Sequence, residues 1–418
     1  MTRVLCLTSW YPPHHTGGYE LSCADVMTRL AERGHHVEVL TSDHRHEGVP
    51  DGDPAPVAAV HRRLRLYFRD GALWSPGLRT RLAVERDNQA ALEDALASTR
   101  PDVVAVWHVG ALSLGLLTTL VRRGIPLVYA VSDDWPAYAS KLDAWTRLFR
   151  WAPGVRWLVE RATGVPTTVP DLGRSGVFCF ISEVTRGRMQ RGAPWSFPNS
   201  TLVYSGIDRR LYRGPARTAP RPWRWQLLYV GRIDPRKGTR TLLEALALLP
   251  DATLVIDGRP SEPEREQLTR WVDELELGDR VRLQTSDRAD LPSVYAAADV
   301  CVFPSEWTEP FGLVPLEAMA SGTPVVATGV GGSAEFLVDG GNCLRYPAGD
   351  AAALADAVRR LAADPDLRDR LVAAGAVTAD FFDVERLADT FEAWHQAAAD
   401  GFSGELPADR EPPALPVG

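Results

Sequence analysis

Short apolar runs rich in β-branched residues alternate along this chain with longer segments whose apolar residues recur at helical spacing. In the first half the runs predict strands at 4–8, 37–40, 103–107, 127–131 and 177–181, and in the second half at 225–230, 253–257, 281–284, 300–303 and 324–327. Nearly continuous apolar strands suit sheets covered on both faces, and strand–helix alternation implies parallel sheets with right-handed crossovers rather than sandwiches. The pattern occurs twice, separated by a proline- and arginine-rich stretch at 213–222 that reads as a linker. The expected organisation is a first domain at 1–207, a second at 208–385, a helix at 386–400 and a disordered, proline-rich tail at 401–418.

A length of 418 residues and a hydrophobic content of 45% support two cores. The net charge of −8 argues against a nucleic-acid binder held by phosphate contacts. The apolar run at the amino terminus is too short for a signal-peptide core, and the longest apolar stretch, at 110–121, falls short of the roughly 20 residues that span a bilayer. A cytoplasmic location follows as the expectation, with any membrane contact transient and peripheral, at the inner face. Cys6, Cys23, Cys179, Cys301 and Cys343 lack C-x-x-C spacing and read as reduced core residues.

The densest chemistry lies in 305–322, where Glu309 and Glu317 stand eight positions apart around a Phe311-Gly312 turn and a helix start. The preceding strand should open at its carboxyl end into a ligand crevice. The amides of Gly312, Leu313 and Val314, near a helix N-terminus, favour an anionic phosphate. Glu317 suits ribose hydroxyls and Glu309 a sugar.

Earlier, Gly231-Arg232 is followed five positions later by Lys237, and two cations from one loop suit a departing diphosphate. Gly17-Gly18, after the first strand, lets a ligand approach the backbone. His108 stands at the carboxyl end of a strand, where open α/β sheets bind ligands. Asp133, also after a strand, serves either as a hydrogen-bond acceptor for substrate or as a cap for the next helix. The turn at 329–335, with Ser333, either packs on the nucleotide or only supplies a sharp bend.

The 305–322 stretch closely resembles the E-x7-E signature of the retaining, GT-B glycosyltransferases of family 4, the glycosyl transferases group 1, and the resemblance extends from about residue 3 to residue 396. It implies an α/β protein of GT-B type, two Rossmann-like domains facing across a cleft, with a last helix crossing back to the first domain. It implies that His108 contacts the donor sugar, that Arg232 and Lys237 form the G-R-x4-K diphosphate clamp, and that Glu309 completes the catalytic set. Gly17, Gly18, Gly231, Phe311, Gly312, Leu313, Val314 and Glu317 then lie around the donor nucleotide, with the base read near 283–288.

Asp133 and Trp135 match the acceptor-side His-Asp-x-Trp segment, although Ser132 replaces its histidine. The implied reaction moves a hexosyl group from a nucleotide-diphosphate sugar to a hydroxyl acceptor, whether glycan, lipid-linked or small molecule, with retention. No metal or other cofactor is expected, because Arg and Lys stand in the place of a cation and no D-x-D pair ends a strand of the first half. A retaining glycosidase needs carboxyl groups about 5 Å apart, and no such pair is assignable, so a front-face route is expected. A sugar-nucleotide epimerase and a catalytically silent nucleotide-sugar-binding subunit are the alternatives. Trp145, Trp151 and Trp157, interleaved with Arg147, Arg150, Arg156 and Arg161, either form the core of an inserted helical pair or face a lipid headgroup or sugar acceptor.

Overall fold

The computed structural model describes residues 1–52, 56–69, 71–151, 153–212, 222–402 and 407. The predicted linker at 213–222, apart from its last residue, and the predicted tail at 401–418, apart from Gly401, Phe402 and Pro407, lie outside the described residues. The described chain divides into two compact units, Met1–Tyr204 together with Val384 to Phe402, and Ser205–Asp383.

The main sheet of the first unit has seven strands among the described residues, β1 (Arg3–Leu7), β2 (His36–Ser42), β3 (Ala59–Leu64), β4 (Val103–Val106), β5 (Leu127–Val131), β6 (Val177–Phe180) and β7 (Ser200–Leu202). They pair in the order β3-β2-β1-β4-β5-β6-β7, parallel throughout. Successive side chains of a strand point to opposite faces, and both faces here are apolar. Leu5, Leu7, Val104 and Val106 join one core with Leu92 and Leu117. Val4, Cys6, Val103 and Ala105 join another with Met27 of the helix Gly18–Glu32 and Phe391 and Trp394 of the helix Val384–Ala399. The last helix therefore completes the covering of the first sheet. Burying each such Leu or Phe is worth roughly 1.5–3 kcal/mol.

The second unit holds β8 (Gln226–Val230), β9 (Thr253–Asp257), β10 (Val281–Gln284), β11 (Val300–Phe303), β12 (Val325–Ala327) and β13 (Leu344–Arg345), ordered β10-β9-β8-β11-β12-β13 and again parallel. Both units are thus α/β with doubly wound parallel sheets. All ten predicted strands are present. The strands β3, β7 and β13, and a short hairpin of Phe68–Arg69 with Ala72–Leu73, were not foreseen. The first three lie at sheet edges, where one-sided pairing lets polar or very short sequences such as Ala59–Leu64 serve as strands. The five cysteines are free thiols and all buried.

Candidate active site

In the second sheet the chain leaves β8 for β9 on one side and later returns through β11 on the other. The carboxyl ends of β8 and β11 are therefore adjacent, with Leu227 and Leu228 paired to Val300 and Cys301, and the loops that follow them diverge around a crevice. The first loop carries Gly231, Arg232 and Lys237, the second Ser305 to Gly312.

The Lys237 ammonium is ion-paired with Glu309 Oε1, and the Ser305 hydroxyl donates to the same oxygen at 2.7 Å. The Lys237 side chain keeps 21% of its surface and Glu309 only 7%, so the cation end of this pair faces outward. Arg232 is exposed and makes no ion pair among the described residues. Between them, the turn Pro235–Lys237 is capped by Asp234, which accepts the Arg236 amide at 2.9 Å. The Arg236 hydrogen bond holds the Asp234 carboxyl down at about 2. The Arg236 guanidinium lies 4.9 Å over the Trp307 ring and so clips one loop to the other. At Gly238, φ is +69° and a Cβ would stand 2.0 Å from the Pro304 carbonyl oxygen, a close approach that admits only glycine.

Glu309 is also fixed through its backbone. It bridges to Gly331, and the Gly332 amide donates to its carbonyl at 2.7 Å. A Cβ on Gly331, where φ is +80°, would lie 2.4 Å from the Glu309 amide nitrogen and carbonyl oxygen. The Ser333 hydroxyl donates to the Val330 carbonyl at 3.1 Å and closes the glycine-rich turn itself. Gly312 has φ +97°, and beyond it Leu313 caps the helix Val314–Ala320, which carries Glu317. The Glu317 carboxylate accepts the hydroxyl of fully buried Tyr295 at 2.7 Å, which fixes its direction. Phe311 corrects the sequence reading. Its ring is buried against Phe336 and Phe382, at 5.0 and 5.4 Å between centroids, and is a core group rather than a nucleotide contact.

The first sheet repeats the topology, with β1 and β4 adjacent at the reversal. His108 follows β4, and its carbonyl accepts the Ser9 amide at 2.6 Å from the loop after β1. Its Nδ1 lies 3.2 Å from Glu20 Oε1, and its Nε2 lies 3.7 Å from Asp133 Oδ2. The Nδ1 contact to Glu20 is a close pair of imperfect hydrogen-bond geometry. The ring stacks on Trp10 at 5.2 Å and is 14% exposed. Burial opposes charging of His108, but Glu20 and Asp133 outweigh it and raise its pKa above the ordinary imidazole value. For Glu20 burial pulls upward, and His108 and the local amides more than offset it, holding the carboxyl below its ordinary value.

Gly17 donates its amide to Glu20 at 3.0 Å, and Gly18 begins the helix, so the paired glycines seat this carboxylate. Asp133 accepts the Trp135 amide at 3.2 Å and the Tyr138 hydroxyl at 2.9 Å; it therefore braces the start of the helix Trp135–Leu142 from just before its N-cap, Asp134, while one oxygen faces His108. Trp135 is a second correction. Its side chain is fully buried in the first core and offers no surface to an acceptor.

The structure thus places Arg232, Lys237, Glu309 and Glu317 beyond the carboxyl ends of the central strands of the second sheet, and His108, Asp133, Gly17 and Gly18 beyond those of the first. Glu20 and Tyr295, which orient His108 and Glu317, carried no assigned role in the sequence reading. Glu20 had a local signal, an acid three positions after Gly17 at a helix start, but that pattern normally reads as a cap. Among the described residues no group of three or more His, Cys, Asp or Glu could hold a metal ion, and no helix is long and apolar enough to cross a membrane.

Comparison with known proteins agrees with this architecture. The family described as glycosyl transferases group 1 matches residues 216–377, and a glycosyl transferase 4-like domain matches 17–175. Glycogen synthase of Mycobacterium tuberculosis (strain ATCC 25618 / H37Rv) is 28% identical over 99% of this chain and 98% of its own length. D-inositol 3-phosphate glycosyltransferase of Pseudarthrobacter chlorophenolicus is 37% identical over 51% of this chain and 52% of its own. Among solved structures, sucrose-phosphate synthase from Thermosynechococcus elongatus superposes with a TM-score of 0.72 at 24% identity, covering 97% of this chain and all of the other. Two parallel α/β units, the carboxylate and cation loops of the second, and two family matches along the chain lead to one conclusion: this protein belongs to the group 1 glycosyltransferases of GT-B fold.

Proposed function

We propose that this glycosyltransferase moves a hexosyl group from a nucleotide-diphosphate sugar to a hydroxyl acceptor, with retention and without a metal. The observation that carries the reading is the exposed Arg232, which makes no ion pair among the described residues, on the same loop as the partly exposed Lys237 of the Lys237–Glu309 pair, at the reversal point of the second sheet. Two cations at a crevice can take up the charge that a diphosphate gains as it leaves. Gly231, Gly312, Leu313 and Val314 bring backbone to the same edge, and Glu317, steered by Tyr295, suits the ribose hydroxyls.

In the proposed step the bond between the anomeric carbon and the diphosphate oxygen breaks, and its electron pair stays on the diphosphate. The acceptor oxygen bonds to the anomeric carbon on the face just vacated, and its proton passes to the departing diphosphate. Arg232 and Lys237 stabilise that leaving group. His108 and Glu309 contact the sugar, and Asp133 orients the acceptor, which is a glycan, a lipid-linked compound or a small molecule. The enzyme is expected to act in the cytoplasm.

The test is turnover of UDP-, GDP-, ADP- and TDP-sugars in EDTA, with and without candidate acceptors, the product being read by mass spectrometry and anomeric NMR couplings. A transferred sugar of unchanged anomeric configuration supports the proposal. An isomerised sugar without acceptor would make the chain an epimerase, donor binding without any product would make it a silent subunit, and loss of activity in EDTA would exclude the metal-free route.

A further inference from the structure

The tryptophan- and arginine-rich segment is only in part an inserted core: Trp145 and Phe149 form a small buried cluster with Val165, against which Val159 packs. Trp145 is buried, with its indole N–H donating to the Pro166 carbonyl at 2.8 Å, but Trp151 and Trp157 are 92% and 64% exposed. The helix Pro153–Thr163, which carries Trp157, has no buried residue. Leu148, Trp151, Val155, Trp157 and Leu158 form an uncovered apolar run there. Such a concentration of large apolar side chains exceeds what solvation alone explains. Arg156 donates to the Phe149 and Arg150 carbonyls, and Arg150 to the Ser140 carbonyl, so the helix, the preceding turn and the end of the helix Trp135–Leu142 form one local structure.

Charge identifies the occupant. Residues 141–161 carry five basic side chains against two acidic ones, in a chain whose net charge is −8. Both acids are already used internally: Asp143 is buried and accepts backbone amides, and Glu160 is paired with Arg122. Lys141, Arg147, Arg150 and Arg161 are exposed, the last with its guanidinium 5.6 Å over the Trp157 ring. Indole rings that sit at headgroup depth, flanked by cations, match an anionic bilayer surface.

We propose that the face formed by Trp151, Trp157, Leu158 and their flanking arginines docks this protein reversibly onto anionic phospholipid membranes. This surface stands independently of the donor reading, because vesicle binding requires no turnover. The test is co-sedimentation of the full chain with vesicles of phosphatidylglycerol and phosphatidylcholine in equal parts, and with phosphatidylcholine alone. Binding to the anionic vesicles only, weakened by salt, is expected. Trp151→Ala with Trp157→Ala should lower the bound fraction about tenfold, and Arg147→Glu with Arg161→Glu by a similar factor, with melting temperature and solution turnover unchanged because these side chains lie on the surface. Absence of vesicle binding, or equal binding by the tryptophan variant, overturns the proposal. So does a concentration-dependent dimer on ultracentrifugation that the tryptophan variant loses without any vesicle binding, which would assign the face to a second copy of the chain.

Discussion

The two sheets place their polar clusters at the same topological position, yet the clusters are built oppositely. In the first unit His108 is walled by aromatic rings and its charge is answered locally by Glu20 and Asp133. In the second, Lys237 is paired with Glu309 alone, and Arg232, although its charge is felt by Asp234, makes no ion pair among the described residues. A cation answered by two carboxylates inside the fold serves to position, whereas a cation answered by one, or by no direct pair, is free to recruit an anion. The fold thus supplies the place, and the number of internal counter-charges decides what each edge holds.

The sharpest way to break this contrast is Arg232→Ala. Its guanidinium makes no hydrogen bond or ion pair among the described residues, so turnover is expected to fall about 10²–10³-fold with a nearly unchanged melting temperature. Steady-state kinetics beside a thermal melt reads both; a destabilised variant would show that Arg232 is structural.

Lys237→Ala should behave differently, because it also strands the nearly buried Glu309 carboxylate. A fully buried pair broken on one side costs about 3–5 kcal/mol, and partial exposure of Lys237 lowers the expectation to about 2 kcal/mol. Adding Glu309→Gln should restore most of the stability in urea unfolding while turnover stays low. Recovery of turnover as well would make the pair purely structural.

These two residues were legible in the sequence because the G-R-x4-K spacing is local, as is the E-x7-E spacing of Glu309 and Glu317. The ten central strands were legible for the same reason, each being an apolar run buried on both faces. What was not legible depends on distant chain: the Tyr295 hydroxyl on Glu317 and the Glu20 carboxylate on His108 become neighbours only through the crossovers. Phe311 and Trp135 were misplaced by the same limit, since a motif gives a residue's address but not the direction of its side chain. Their backbone positions border the clusters while their rings turn into the cores. The Trp151 and Trp157 pattern was ambiguous because helical spacing of apolar residues reads alike whether the face is covered or bare.

In the first unit the expected effect is a pH dependence. His108 has a raised pKa, so the stability from its pairing is complete below its ordinary value of 6.5 and is lost as pH rises through the raised value. Glu20 is depressed, so its share is present above 4.5 and is lost as pH falls through the lowered value. Buried Glu85, pushed up to about 8 chiefly by burial, titrates in the same unit, so the pair must be read as a difference between proteins. The melting-temperature gap between wild type and His108→Gln should be widest between about pH 4.5 and 6.5 and narrow on both sides. A gap independent of pH would show that the ring acts only through packing.

The smallest expected effect is that of Tyr295→Phe, which removes the hydroxyl that orients Glu317. About 1 kcal/mol of stability should be lost, and donor KM should rise more than kcat falls, if Glu317 binds ribose rather than taking part in the chemistry.

The most direct measurement is the thermal shift given by UDP, GDP, ADP and TDP in EDTA on wild type, Glu317→Ala and Arg232→Ala. At least one nucleoside diphosphate is expected to raise the melting temperature of wild type and to do so much less in either variant. An equal shift in all three proteins, or a shift that appears only when a divalent metal is added, would contradict a diphosphate held by the open cations of the second sheet.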